Sequence, residues 1–168
     1  MEQLRIVQAR LSDIPLLHDL GAKAFYPTYL PFISKEQVDY MFHMMYDPDR
    51  LLEQMEVRGD QFFIVYQGQE ALGFASCQLD YEQQGSAKLH KLYVLPEQQV
   101  KGLGKALLLA VEQFAQQNGQ KQLVINVNRY NSALSFYQKM GYAIFKEEDI
   151  PIGAGYFMND YEMKKSLR

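Results

Sequence analysis

The sequence contains one cysteine, Cys77, and no tryptophan. A lone cysteine excludes an intrachain disulfide and a cysteine-built metal site, and no spacing of His, Cys, Asp and Glu marks a metal centre. Long apolar runs are missing too. The longest aliphatic stretch is Ala106 to Val111, far short of the roughly 20 residues that cross a bilayer. The N-terminus, M-E-Q-L-R-I-V, lacks the basic region and apolar core of a secretory signal. Positive charge is not in excess: 17 Lys and Arg stand against 20 Asp and Glu, for a net charge of −3. That balance argues against broad phosphate-backbone binding. There is no internal repeat, no low-complexity tract and no linker rich in Gly, Pro or Ser. These absences predict a soluble, cytoplasmic protein with no nucleic-acid or membrane partner and no metal.

The chain of 168 residues is 48% hydrophobic and 13% aromatic. Its length fits one domain over residues 1–168, large enough to bury about two-thirds of its unfolded surface. Residues 4–9 fit a first strand. Ser12-Asp13 can cap a helix with Leu16, Leu17, Leu20 and Ala24 on one face, Pro15 in its first turn and Pro27 as its stop. Residues 28–57 are rich in aromatics and Met. Ser34 with Gln37 forms a capping box for a second helix, and Asp47-Pro48 opens a third. This insert reads either as core or as the lid of a substrate pocket.

Strands follow at 62–66, 71–79 and 88–95, with Gln67-Gly68 as a hairpin turn and Gly73 as a bulge. A helix over 102–117 ends at Asn118-Gly119. A strand at 123–127, a short helix capped by Asn131 and two tail strands, 142–146 and 156–163, complete the order. The alternation predicts an α/β (α+β) sheet of mixed direction.

The segment that carries chemistry is K-L-H-K-L-Y-V-L-P-E-Q-Q-V-K-G-L-G-K-A-L-L, residues 88–108. A strand runs through a short loop into a helix whose unpaired N–H groups and dipole favour an anion. Gly102 and Gly104 let the backbone approach that anion, and Lys101 and Lys105 add charge. A phosphate or pyrophosphate is the expected ligand. The dinucleotide pattern G-x-G-x-x-G fails at Leu107, and the Walker pattern fails at Gln99 and Ala106.

The loop Gln99-Val100-Lys101-Gly102-Leu103-Gly104 satisfies a third pattern, [QR]-x-x-G-x-[GA]. With L-x-x-L-Y-V-x-P over 89–96 and N-S-A-L-S-F-Y-Q-K-M-G-Y over 131–142, the chain resembles the GCN5-related N-acetyltransferase (GNAT) superfamily from about residue 4 to 165. The resemblance implies a mixed, mostly antiparallel twisted sheet of six to seven strands, with helices on both faces and a splayed central strand. It implies acetyl-CoA as co-substrate, its pyrophosphate held by Gln99, Val100, Lys101, Gly102, Leu103, Gly104 and Lys105. Leu92, Tyr93 and Val94 match the splayed strand that holds the pantetheine, and Asn131 matches an asparagine beside it. Tyr137 matches a tyrosine near the thioester sulfur.

Direct transfer needs a neutral amine, a donor at the developing oxyanion and an acid for the departing thiolate. The backbone N–H of Val94 suits the second role and the Tyr137 phenol the third. His90 is the nearest titratable group for the base, since its ordinary pKa of about 6.5 suits proton uptake. Within the superfamily the chain is similar to small bacterial members of the polyamine-acetylating type. The shared features are its helical insert, Gln61 to Tyr66 and the length of its tail. Asp80, Glu82, Glu147, Glu148, Asp149 and Asp160 are available to attract a cationic amine. The leading expectation is a small primary amine as acceptor. The alternatives are peptide or protein amines, favoured by an open cleft between the insert and residues 147–160, and a non-catalytic acyl-CoA sensing module. The insert's aromatics and a tail edge strand also offer surfaces for a homodimer.

Overall fold

The computed structural model describes residues 3–96, 98 and 100–168. Its elements run β1 (Leu4–Gln8), α1 (Ile14–Tyr29), α2 (Lys35–Tyr46), α3 (Pro48–Glu56), β2 (Gln61–Gln67), β3 (Glu70–Gln78), β4 (Ser86–Val94), α4 (Leu103–Gln117), β5 (Gln122–Asn128), α5 (Ala133–Lys139), β6 (Ala143–Gly153) and β7 (Tyr156–Ser166). Seven strands form one sheet in the order β1-β2-β3-β4-β5-β7-β6. Every neighbouring pair is antiparallel except β4 and β5. Helices cover both faces, as the expected fold class requires.

Period-2 alternation sends the side chains of the central strands to two cores. On one face Leu103, Leu107, Leu108, Val111 and Ala115 of α4 pack against Val65, Leu72, Ala75, Ala87, Leu89, Leu123 and Ile125. On the other, Leu17, Leu20, Phe25, Met41, Phe42, Tyr46 and Leu51 pack against Phe62, Ile64 and Phe74. Each such side chain contributes about 1.5–3 kcal/mol by leaving water. The aromatic and Met-rich insert is therefore largely core, and its buried rings are not free for a dimer surface. Gly21 permits this packing: a Cβ there would meet the Tyr46 ring at 2.5 Å.

Three local expectations change. Pro27 does not stop α1, which continues to Tyr29. A proline one turn from a helix end removes a single backbone bond, while Thr28 Oγ1 donates to the Ala24 carbonyl and Leu30 N–H to that of Tyr26. Of Ser12 and Asp13, the second stands at the N-cap of α1, but without a side-chain capping bond to the helix. Both sit in a 3-10 turn over Leu11–Asp13, where the Asp13 carboxylate accepts the Arg10 N–H at 2.8 Å. At α2 only half of the capping box forms. Ser34 Oγ accepts the Gln37 N–H, but the Gln37 amide reaches across to donate to the Phe157 carbonyl at 2.8 Å.

Candidate active site

The parallel pair creates the opening. β4 and β5 are paired only from Ser86–Gln122 to Leu89–Ile125, although β4 runs on to Val94 and β5 to Asn128. The register between β3 and β4 shifts at this point: Ser76 faces Lys91 and Cys77 faces Leu89, leaving His90 as an extra residue. Such a bulge bends a strand away from its neighbour. Leu95 N–H donates to the Leu72 carbonyl on β3, so alternation turns the Val94 N–H toward the open side.

Beyond the end of β4 lies the anion cradle. Gly102 is the N-cap of α4 with φ 82°, in the left-handed region, and no side chain caps the helix. The first N–H groups of α4 are thus left for a ligand. A Cβ on Gly102 would meet nothing within 4 Å, so the glycine serves backbone conformation and keeps the approach open. A cavity of about 580 Å³ extends from this turn, lined by Leu92, Val94, Leu95, Gln98, Val100, Gly102, Leu103, Gly104, Lys105, Ala133, Phe136 and Tyr137. Lys101 is exposed beside it. Gln99, also expected at the anion, lies outside the described residues. This one cavity joins eight of the twelve residues expected at the coenzyme, from Gly102 to Tyr137, while Tyr93 and Asn131 line the spaces next to it.

At the parting of β4 and β5 sits a smaller cavity of about 50 Å³, walled by Tyr29, Tyr93, Asn126, Asn131 and Tyr137 among others. Leu92, Ala133 and Tyr137 line both spaces. The Tyr29 and Tyr93 hydroxyls are 2.9 Å apart. Burial pushes the Tyr29 phenol up to about 12 and raises those of Tyr93 and Tyr137 as well. All three phenols therefore hold their protons at neutral pH. Among the described residues the Tyr137 hydroxyl meets no hydrogen-bond partner, which leaves it free to donate. Asn131 Oδ1 accepts the Ala133 N–H at 2.9 Å, fixing the start of α5 and the asparagine itself at the cavity wall. A third cavity, about 600 Å³, opens to solvent between Pro27, Thr28, Pro31 and Phe32 on one side and Tyr130, Asn131 and Ser132 on the other. Tyr93, Leu92 and Asn131 connect it to the small cavity.

His90, the expected base, lines the small cavity beside Lys91, but its surroundings oppose proton uptake. Its Nε2 lies 2.8 Å from Gln78 Oε1, and its ring meets that of Tyr81 edge-on. Burial, then the charges of Arg58, Lys91 and Lys88, push its pKa down to about 2. An imidazole so held is a weak proton acceptor.

The acidic residues divide in a way the sequence does not show. Asp80 accepts from the Gly85 N–H and the Gln120 amide, closing the β3–β4 turn. Glu147 and Asp149 hold Arg129, and Glu148 pairs with Lys146. Asp160 alone among the six is buried. The cleft expected between the insert and the tail is bridged: Tyr40 Oη donates to the Ile152 carbonyl at 2.6 Å, beside the Gln37–Phe157 bond.

Sequence reasoning missed Asn126 and the Tyr93 side chain. Tyr29 belongs to the aromatic insert that reads as core or as the lid or wall of a pocket, and it lines the small cavity from the end of α1, beyond the stop expected at Pro27.

A sheet splayed between its one parallel pair, with a glycine-started helix at the mouth of the opening, defines an acyl-coenzyme transferase architecture. A family model described as acetyltransferase (GNAT) domain matches residues 29–164. The chain belongs to this family and is an acyltransferase. A spermidine N(1)-acetyltransferase of Thermoplasma acidophilum is 28% identical over 151 residues, covering 87% of this chain and 90% of the relative. Among solved structures, the PaiA N-acetyltransferase of the same organism, in complex with coenzyme A, superposes with a TM-score of 0.81 at 25% identity, covering 98% of this chain and 99% of the other. A GCN5-related N-acetyltransferase from Rhodopseudomonas palustris, at 20% identity and a TM-score of 0.83 over 99% and 97% of the two chains, shares the fold.

Proposed function

We propose that this protein, acting as one domain over residues 1–168, moves the acetyl group of acetyl-CoA directly to the primary amine of a small cationic molecule of the polyamine class. The observation that carries this reading is the meeting of cavities at Tyr137: the coenzyme-sized space and the small polar space share that side chain. The cradle of Val100, Lys101, Gly102, Leu103, Gly104 and Lys105, with Gln99, takes the pyrophosphate. Leu92, Tyr93 and Val94 take the pantetheine along the open edge of β4, beside Asn131.

The chemistry follows from these positions. Fixing amine and thioester side by side supplies much of the barrier reduction, up to about 7–11 kcal/mol for well-aligned groups. The amine nitrogen attacks the thioester carbon, and the oxyanion that forms is stabilised by the Val94 N–H. As the carbon–sulfur bond breaks, Tyr137 Oη gives its proton to the thiolate. The acceptor ammonium nitrogen loses two protons in all: one leaves to solvent before attack, and the other replaces the proton that Tyr137 gives to the thiolate. Burial keeps Tyr137 protonated, so the acid is in the form the step needs.

Similarity to the spermidine acetyltransferase supports the polyamine class. The bonds from Tyr40 and Gln37 to the tail hairpin support a small acceptor over a peptide. The test is thiol release from acetyl-CoA over a panel of polyamines, amino acids, aminoglycosides and short peptides, with a no-amine blank. Release with polyamines above the other classes is expected. Release with peptides alone would overturn the small-amine reading, and acetyl-CoA binding without any release would favour the sensing module.

A further inference from the structure

The wall of the small cavity continues into a buried carboxylate. Asp160 on β7 is 1% exposed and faces Asn128 of β5 in register, beyond the last β4–β5 pair. Its Oδ2 accepts from Asn126 Nδ2 at 3.3 Å, while its Oδ1 has no partner. Asn126 in turn lines the cavity and accepts from Lys88 Nζ through its Oδ1. The charge of Asp160 also reaches Tyr29, on the opposite wall. The other buried acid, Asp60, is held by Arg58 through both oxygens.

A buried carboxylate with a free oxygen is costly unless something positive balances it. The groups around Asp160 are Asn126 of β5, Lys88 of β4, Glu148 across on β6, Glu162 on its own strand, Arg129 after β5 and Tyr29 of α1. Lys88 is itself bonded to Asn126, and Arg129 to Glu147 and Asp149. Glu162, on the same face of β7, is ion-paired with Lys146 at 3.5 Å, which leaves Asp160 Oδ1 as the uncompensated oxygen there. The adjoining cavity, at about 50 Å³, has room for one ammonium group.

We propose that Asp160 is a positioning residue for the acceptor: acting across Asn126 and Tyr29, it holds the non-reacting ammonium of a diamine or polyamine at the cavity of the β4–β5 parting while a second, neutral amine attacks, and so makes the enzyme select acceptors that carry a second positive charge. This rests on the acetyltransferase reading above and adds the residue that sets its substrate charge. No bond to Asp160 forms or breaks, so its effect is electrostatic and falls on the acceptor.

The experiment compares 1,4-diaminobutane, which keeps one ammonium while its other amine reacts, with butylamine, which has no second charge, in the wild type and in Asp160→Asn. The variant keeps the size of the side chain and can still accept from Asn126. Expected is a loss of about tenfold or more in kcat/KM for the diamine and spermidine. Butylamine and the KM for acetyl-CoA should stay within about twofold. Equal losses for the diamine and the monoamine, or no loss, would overturn the proposal while leaving the transferase reading intact. A wild type that binds acetyl-CoA but acetylates no amine would remove both. Melting and acetyl-CoA binding show whether the variant folds. If it does not, inhibition of the wild type decides: guanidinium should compete with the amine and not with acetyl-CoA, and its uncharged isostere urea should do nothing. Equal inhibition by the two, or by neither, would overturn the proposal.

Discussion

An alanine at position 73 would place its Cβ 2.7 Å from the Tyr93 carbonyl oxygen, 3.2 Å from Val94 Cα and 3.4 Å from Leu107 Cδ1. The first two are backbone atoms of β4, which cannot swing aside as a side chain can. The third belongs to a fully buried residue of α4. Reaching even the tight separation of 3.4 Å from the Tyr93 oxygen requires a shift of 3.4 − 2.7 = 0.7 Å. Overpacking of this kind costs about 1–3 kcal/mol. At roughly 2–4 °C per kcal/mol for a chain of this size, Gly73→Ala should melt about 2–12 °C below the wild type. The same displacement moves Leu92 to Val94, the segment assigned to the pantetheine. Acetyl-CoA should therefore bind more weakly, by about tenfold for a loss near 1.4 kcal/mol. Gly59→Ala is the control. Position 59 has a positive φ, 78°, which position 73 lacks, and a Cβ there meets nothing within 4 Å, so strain should lower its melting temperature and leave binding unchanged. The assays are thermal unfolding and titration calorimetry with acetyl-CoA. A Gly73→Ala protein melting within about 1 °C of wild type with unaltered binding would refute the close-approach argument.

Tyr137→Phe should lower kcat by about 100-fold, the scale of a lost general acid, with the KM for acetyl-CoA little changed; wild-type turnover would remove Tyr137 from the acid role. Lys91 gives a pH signature. Its ammonium is buried, donates to Gln54 Oε1 at 2.9 Å, and has its pKa lowered to about 7, by burial first and the Arg58 charge second. Between about 7 and the ordinary lysine value the unfolded chain holds the proton and the folded chain does not, so stability rises with pH across that window. Melting temperature should climb from pH 6.5 to 9 in the wild type and flatten in Lys91→Met; a climb of equal slope in the variant would assign it elsewhere. Tyr40→Phe deletes the bond to the Ile152 carbonyl, at a stability cost of about 1 kcal/mol. It should raise acetylation of short peptides relative to polyamines, and an unchanged ratio would show that this bond does not limit acceptor size.

Much of this fold is legible in sequence because each signal is local. Gly102 at a strand–helix junction, Asn118-Gly119 after an apolar helix face and the unbroken apolar run of β2 before Gln67-Gly68 each follow from backbone and burial rules acting over a few residues. The anion cradle is legible for the same reason. Contacts assembled between distant elements are not. Tyr29 and Tyr93 meet across 64 positions, and Asn126 meets Asp160 across 34, with no periodicity to announce either pair. His90 is the opposite case: its residue type and its place in the cavity wall suit a base, but that role depends on solvation, and burial lowers its pKa to about 2. The acidic residues of the tail look alike in sequence. Only the pleat, which turns Asp160 inward at its register with Asn128 while Glu147 and Asp149 face Arg129, separates a buried charge from solvated ones.

These features converge on the one place where neighbouring strands of the sheet run in the same direction. An antiparallel pair can be closed by its own hairpin, whereas β4 and β5 are joined through α4, so their C-terminal ends have no covalent reason to stay together. The bulge at His90 and the close approach of Gly73 to Tyr93 bind the end of β4 to β3, and β7 holds β5 along its whole length. The gap between them exposes the backbone of Leu92 to Val94 and places the start of α4 at its mouth. Ligands in sheets of this kind gather at the carboxyl ends of parallel strands. Here the opening has a coenzyme-sized cavity on one side and the small cavity beside Asp160 on the other, with Tyr137 in both walls. On the proposed reading, the parting of the two strands is what brings donor and acceptor together beside Tyr137.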